Sequence, residues 1–259
     1  MHILMIGDIV GRPGRRAVKD NIAAIQREFS IDFTIANGEN IAGGSGVTRE
    51  TANELFGYGI DVLTGGNHIW DKKESFPFIA EEARIIRPAN YPPGVPGAGY
   101  RIFSAGEHKV AVVNLLGRVF MPDVDCPFRR AEEIVAELSS ATPLIIVDFH
   151  AEATSEKMAF GWFLDGKVTA VLGTHTHVQT ADERILPGGT AYITDVGMTG
   201  PRDAVIGVKK ETIITRYFTQ LPKRFEVAGG PYQFDACIVT ADPVTGKALA
   251  IQRIRNFEA

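Results

Sequence analysis

Short runs of residues that are apolar on both faces recur along the chain, and most are separated by segments with helical periodicity. Ile3 to Ile6 is the first such run, a pattern that predicts a central strand covered on both sides, and it stops at Gly7-Asp8. Pro13 suits a first helical turn. Val18, Ile22, Ile25, Gln26 and Phe29 then recur about every 3.6 residues with charges between them, which predicts an amphipathic helix. Phe33 to Ala36 predicts a second strand, ending in Asn37-Gly38-Glu39-Asn40. Thr48, set before Thr51, can cap a helix carrying Ala52, Leu55 and Phe56. Val62 to Thr64 predicts a strand that runs into Gly65-Gly66-Asn67-His68. Trp70 to Ala83 reads as partly helical and the Pro-rich Arg87 to Pro96 as a loop.

Tyr100 to Phe103 and Val110 to Leu116 predict strands of a second group, Arg129 to Leu138 a helix, and Leu144 to Phe149 a buried strand ending at His150, with another helix after it. Val168 to Leu172 is again a strand, ending in Gly173-Thr174-His175-Thr176-His177. The segments Ala191 to Thr194, Ile213 to Tyr217, 232 to 240 and 248 to 254 all read as strand and predict an antiparallel half. Strands alternating with helices early and strand-rich sequence later predict an α/β fold, a four-layer α/β/β/α sandwich of two mixed sheets flanked by helices.

Composition narrows the class. With 259 residues and 45% hydrophobic content the chain can bury a large core by itself, and no linker composition or charge block divides it. One domain over residues 1–259 is therefore expected. The 27 basic and 31 acidic residues are dispersed, for a net charge of −4, so no surface for long nucleic acid is expected and an anionic substrate must be held locally. Cys126 and Cys237 lie far apart without metal-ligand spacing and read as free thiols in a reducing compartment, which predicts a cytoplasmic address. The N-terminus lacks the pattern of a signal peptide, and no apolar run approaches the roughly 18 residues of a membrane span. The oligomeric state is left open, a homo-oligomer included.

The chemistry lies in where the strands stop. Five apolar strands end at polar clusters: Asp8, Glu39-Asn40, Asn67-His68, His150, and His175 with His177. Strand ends are where α/β folds build sites, and convergence of these would join carboxylates, carboxamides and imidazoles, an inventory suited to two metals. His150 at the mouth of a buried strand must find a partner or a metal. His175 and His177 lie two apart, so extended geometry would turn both to one side. Asp8 reads equally as a cap for the helix near Pro13. Glu39, set among Asn37, Gly38 and Asn40 before a glycine-rich loop, has little packing role but suits a carboxylate bridging two cations. Asn40 and Asn67 read either as ligands or as turn formers. His68 could protonate a leaving oxygen or grip a phosphate oxygen, with Asp71 orienting its ring. Gly43 to Gly46 and Glu152 to Lys157 are expected to shape the pocket.

Other features have structural readings. His2 and His108 read as satisfied structural groups. Gly7 to Gly14 lacks the Lys-Ser/Thr ending of a phosphate loop, and Arg15-Arg16 and Lys209-Lys210 read as solvated charge.

The series Gly7-Asp8, Asn37-Gly38-Glu39-Asn40, Gly66-Asn67-His68, His150 and Gly173-Thr174-His175-Thr176-His177 resembles, in order and spacing, the calcineurin-like metallophosphoesterases, and more narrowly their bacterial YmdB-like branch. The resemblance covers essentially the whole chain. Val10 stands where the wider superfamily has a histidine, and Glu39 where it has an aspartate; both departures resemble the YmdB-like pattern. The resemblance implies one metal site of Asp8, Glu39, Asn40 and His177 and a second of Glu39, Asn67, His150 and His175, holding two divalent or trivalent ions, iron or manganese. It implies hydrolysis of small cyclic nucleotides, 2′,3′- and 3′,5′-, by a hydroxide held between two ions about 3.5 to 4 Å apart, with His68 as acid or phosphate ligand. The alternatives are a phosphomonoesterase or protein phosphatase, and a regulatory nucleotide-binding protein with weak hydrolysis.

Overall fold

The computed structural model describes residues 1–258. β1 (His2–Ile6) and the short β2 (Asp8–Ile9) precede α1 (Gly11–Glu28); β3 (Phe33–Asn37), α2 (Arg49–Gly57), β4 (Val62–Thr64), α3 (Ser75–Glu81) and β5 (Ile85–Ile86) follow. Then come β6 (Tyr100–Ala105), β7 (His108–Leu116), α4 (Pro127–Leu138), β8 (Leu144–His150), α5 (Thr154–Leu164) and β9 (Ala170–Thr174). The chain closes with β10 (Arg184–Ile185), β11 (Ala191–Ile193), β12 (Met198–Pro201), α6 (Lys210–Thr219), β13 (Tyr232–Ala241) and β14 (Ala248–Phe257).

The strands form two mixed sheets, one in the order β2-β12-β13-β1-β3-β4-β5 with β14 on β13, the other β10-β11-β9-β8-β7-β6. The alternation of side chains along a strand explains the four layers. Ile3 and Met5 of β1 pack with Val112, Ile146 and Leu172 of the other sheet, so the two sheets meet face to face. Leu4 and Ile6, one residue out of phase, pack with Val18, Ile22 and Ile25 of α1 and Leu55 of α2. On the far side, Ile145 and Val147 of β8 pack with Ile134 and Leu138 of α4 and Phe160 of α5. Each such aliphatic side chain, once buried, contributes roughly 1.5–3 kcal/mol. That is why a strand apolar on both faces settles between layers. The expected α/β/β/α sandwich is the observed fold.

Thr48 caps α2 as the sequence implies, its hydroxyl accepting from the Thr51 N–H at 3.2 Å. Two expectations need correction. Ile213 to Tyr217 is not strand but part of α6. The β-branched residues Ile213, Ile214 and Thr215 favour strand locally, yet Glu211 in the first turn and Arg216 in the last complement the helix dipole, and one helical face meets a cavity rather than a sheet edge. The C-terminal strands do not build a separate antiparallel half: β13 inserts between β1 and β12 and completes the first sheet. Trp70 to Ala83 is partly helical, as expected: α3 occupies its middle, while Trp70 to Glu74 is held in turns, one of them closed by Asp71 N–H to the His68 carbonyl at 3.0 Å.

Both cysteines are free. His2 lies 3.1 Å from the Thr240 hydroxyl, and His108 sits exposed at the start of β7. Among the described residues no helix is long and apolar enough to cross a membrane.

Candidate metal centre

Parallel pairing brings the strand ends to one edge. Asn37 of β3 is in register with Thr64 of β4, and His150 of β8 with Thr174 of β9. A polar stitch joins the two sheets there. The buried Asp148 accepts from the Thr64 hydroxyl at 2.5 Å, the Thr174 hydroxyl at 2.6 Å and Asn37 Nδ2 at 3.1 Å. Around this stitch gather all eight residues singled out by the sequence.

Glu39 Oε1 lies 3.2 Å from His150 Nε2, which is 3.0 Å from His175 Nδ1 and 3.2 Å from Asn67 Oδ1. Asn40 Nδ2 lies 3.1 Å from Glu39 Oε1 and 3.4 Å from His177 Nε2. Asp8 Oδ2 accepts the His175 N–H at 3.1 Å. Its other oxygen, Oδ1, is 3.7 Å from His177 Nε2 and 3.8 Å from His150 Nδ1, beyond hydrogen-bond reach, and is buried with no hydrogen-bond partner. Asp8 caps nothing: the N-cap of α1 is Val10, without a side-chain cap. Asn40 and Asn67 both keep negative φ, so neither serves as a left-handed turn former.

These residues fit a cation. A buried carboxylate oxygen without a donor is costly unless something positive faces it. Ligand atoms of Glu39, His150 and His175 all lie within 4.8 Å of one another. Hard oxygens mixed with imidazole nitrogens form a donor set for a first-row transition ion.

The electrostatics point the same way. Burial pushes the Asp8 carboxyl up to about 6, against the pull of His177 and His150. Burial also raises Glu39, but the charge and hydrogen bond of His150, aided by His68, outweigh it and hold the carboxyl at about 2. His150 loses by burial and gains more from Glu39, Asp8 and Asp148, which lift it to about 9. His175 falls to about 3 through burial and then through its proximity to His150. The metal-free centre thus carries a proton on His150 at neutral pH. A ligating imidazole must be neutral, so loading with metal at pH 7.5 is expected to release close to one proton, and the release should fade as pH rises through about 9. Calorimetry in buffers of different ionisation enthalpy measures it.

His175 and His177 do not share a side through extended geometry, as their spacing suggested. Both follow the end of β9 in a turn with positive φ, 98° and 62°. Two acids hold this uncommon backbone: Asp8 accepts the His175 N–H, and Asp195 Oδ2 accepts from the Thr176 N–H at 3.1 Å and hydroxyl at 2.8 Å. Asp195 is itself paired with the buried Lys157 at 2.7 Å, and Lys157 also donates to the Thr174 carbonyl at 2.7 Å. The sequence reading missed Asp148, Asp195 and the structural role of Lys157. A signal existed for both aspartates. Asp148 interrupts an apolar strand two residues before His150, and Asp195 follows Ile193-Thr194 as another polar strand end.

Gly66 closes the centre. A Cβ there would lie 2.2 Å from Glu39 Oε2 and 2.4 Å from His150 Nε2. Gly66→Ala is expected to displace both candidate ligands, lowering metal content and cutting turnover by about 10²-fold, the effect of a misplacement near 1 Å; metal analysis beside a turnover assay checks it.

Outside the centre, His68 donates its backbone N–H to Glu39 Oε2 at 2.9 Å, and its Nδ1 lies 2.9 Å from Asp71 Oδ2. A cavity of about 720 Å³ opens beyond it, lined by Glu39, Asn40, His68, His175 and His177 on one side and by residues 205 to 227 on the other. Of the two segments expected to shape it, Gly43, Gly44, Ser45 and Glu152 reach its wall, whereas Gly46 and residues 153 to 157 do not, and Lys157 is buried.

The fold is shared with a Staphylococcus aureus chain assigned provisionally as a 5′-nucleotidase, with a TM-score of 0.62 at 13% identity, over 98% of this chain and 54% of that one. The family model described as YmdB-like protein matches residues 4–254, so the chain belongs to the YmdB-like family. It is 52% identical over 254 residues to the 2′,3′-cyclic-nucleotide 2′-phosphodiesterase of Bacillus subtilis, covering 98% of this chain and 96% of that protein. A crystal structure of a hypothetical protein from Thermus thermophilus superposes with a TM-score of 0.94 at 41% identity, covering 100% of each chain.

Proposed function

We propose that this chain is a dinuclear metal-dependent phosphodiesterase that opens small cyclic nucleotides, 2′,3′-cyclic nucleotides first and 3′,5′-cyclic nucleotides as further substrates. The observation that carries the reading is the buried, partnerless Asp8 Oδ1, 3.7 Å from His177 Nε2, in one cluster with the nitrogens of His150 and His175 that face each other at 3.0 Å. Asp8, Glu39, Asn40 and His177 would hold one ion, and Glu39, Asn67, His150 and His175 the other, iron or manganese by donor type. Bound there, the ions supply Lewis acidity, lowering the pKa of water and offsetting the charge of the phosphate.

The remaining work falls to the chain. Glu39 is held by two N–H groups, its own donating to Asn37 Oδ1 at 3.1 Å and that of His68 donating to its carboxylate, so its position is set before any ligand binds. His150 is oriented by the Thr174 hydroxyl, 2.9 Å from Nδ1, which leaves Nε2 directed at the centre. Asp71 engages His68 Nδ1 and fixes the ring so that Nε2 is left for the substrate. Water then adds across the P–O2′ bond: its oxygen joins phosphorus, the bond to O2′ breaks, His68 supplies the proton that O2′ takes, and the proton the water gives up passes to solvent, from which His68 is recharged. The 52% identity to the Bacillus phosphodiesterase supports the substrate class.

The test is metal content together with turnover of 2′,3′-cyclic AMP, run beside a chromogenic phosphomonoester and a bis-ester. Bound transition metal with preference for diesters supports the reading. A protein that retains no metal and turns over no diester with added manganese would reject it, and preference for the monoester would replace it with a phosphatase.

A further inference from the structure

The cavity beside the centre has two chemically different walls, and only the polar one carries the candidate ligands and His68. The other is built from the turn at Val205 to Val208, one face of α6, and Phe225 to Val227. Ile213, Arg216, Tyr217 and Gln220, at helical spacings of three and four, all line it. Large apolar side chains stand open there in a way a folded core does not require: Ile206 is 51% exposed, Tyr217 74% and Phe225 48%. Ile206 is also strained. It is β-branched yet holds φ at 46°, in the left-handed region such residues avoid, and strained backbone concentrates at ligand sites. The turn is fixed by reciprocal backbone hydrogen bonds between Val205 and Val208 at 2.9 and 3.0 Å. One further contact ties it to the centre, His177 Nδ1 to the Ile206 carbonyl at 3.0 Å. The Arg216 guanidinium lies over the Phe225 ring at 4.9 Å.

We propose that this wall is the nucleobase subsite: the base packs against Tyr217, Phe225 and Ile206, with Arg216 and Gln220 offering donors to its edge, while the phosphate faces His68 across the cavity. The inference rests on the phosphodiesterase reading and adds to it which residues hold the base. An apolar, aromatic wall suits a flat heterocycle because every base presents a π-face, and the arrangement is tolerant of base identity. A volume of about 720 Å³ falls within the roughly 300–1,000 Å³ of small-ligand sites.

The experiment compares the metal-loaded wild type with Tyr217→Ala and Phe225→Ala on two substrates, 2′,3′-cyclic AMP and the base-free ribose 2′,3′-cyclic phosphate. Tyr217 is open enough that its truncation leaves packing intact, and thermal denaturation verifies the fold of each variant. Either substitution should raise KM for cyclic AMP and narrow the wild-type preference for it over the base-free ester by at least about fivefold; Tyr217→Trp, which keeps a ring there, should retain that preference. An unchanged preference in both alanine variants overturns the subsite. Should the wild type turn over neither ester, the phosphodiesterase reading fails by itself, and binding of AMP to metal-loaded protein decides the subsite: weaker binding in the variants upholds it, equal binding overturns it.

Discussion

His68→Ala is expected to lower turnover of 2′,3′-cyclic AMP by roughly two to four orders of magnitude, the loss that follows removal of a positioned general acid. Metal content should not change. The contact of His68 with the centre runs through its backbone N–H to Glu39, which alanine keeps, and its side chain is half-exposed, so neither the ligands nor the core depends on the ring. The choice of substrate separates the two roles open to this residue. A ribose alkoxide is a poor leaving group and needs the proton, whereas a nitrophenolate leaves without one. An acid therefore loses far more on cyclic AMP than on a bis-nitrophenyl ester. Equal losses on both would assign His68 to gripping the phosphate instead. Asp71→Asn should follow the same pattern with a smaller loss, because it loosens the contact that orients the ring and leaves the ring itself in place.

The second large effect lies underneath the centre. Asp195→Ala is expected to destabilise the protein by about 3–5 kcal/mol, since it strands the ammonium of Lys157 in a site where both side chains are almost fully buried. For a chain of this size that corresponds to a fall in Tm of roughly 6 to 20 °C. It should also weaken metal binding, because the Thr176 N–H and hydroxyl lose the acceptor that holds the turn carrying His175 and His177. A double variant, Lys157→Met with Asp195→Leu, divides these effects. Replacing a buried pair with apolar groups of similar volume is often neutral, so thermal stability should recover in large part. Metal affinity should stay low, as leucine accepts nothing from Thr176. Recovery of both together would show that the ion pair serves packing alone.

The residue types that gather at the candidate site were legible in the sequence because they depend on local facts. A strand apolar on both faces must be covered, and a charged or polar group directly after it sits at an edge of the sheet. That reasoning located Asp8, Glu39, Asn67, His150 and the His175/His177 pair, and the alternation of strands and helices yielded the four layers. What stayed hidden depends on partners remote in the chain. Asp148 has meaning only once Asn37 and Thr64 of the other sheet face it, and Lys157 only once Asp195 lies 2.7 Å away. The turn of the paired histidines was read as extended because spacing carries no record of the two aspartates that hold its positive φ. α6 was read as a strand because its β-branched residues favour one locally, while the cavity that one of its faces lines exists only after folding. Propensity and burial pattern act over a few residues and survive in the sequence. The contacts that orient a ligand, pair a buried charge or wall a cavity join segments tens to hundreds of positions apart, and only the packing of the two sheets selects them.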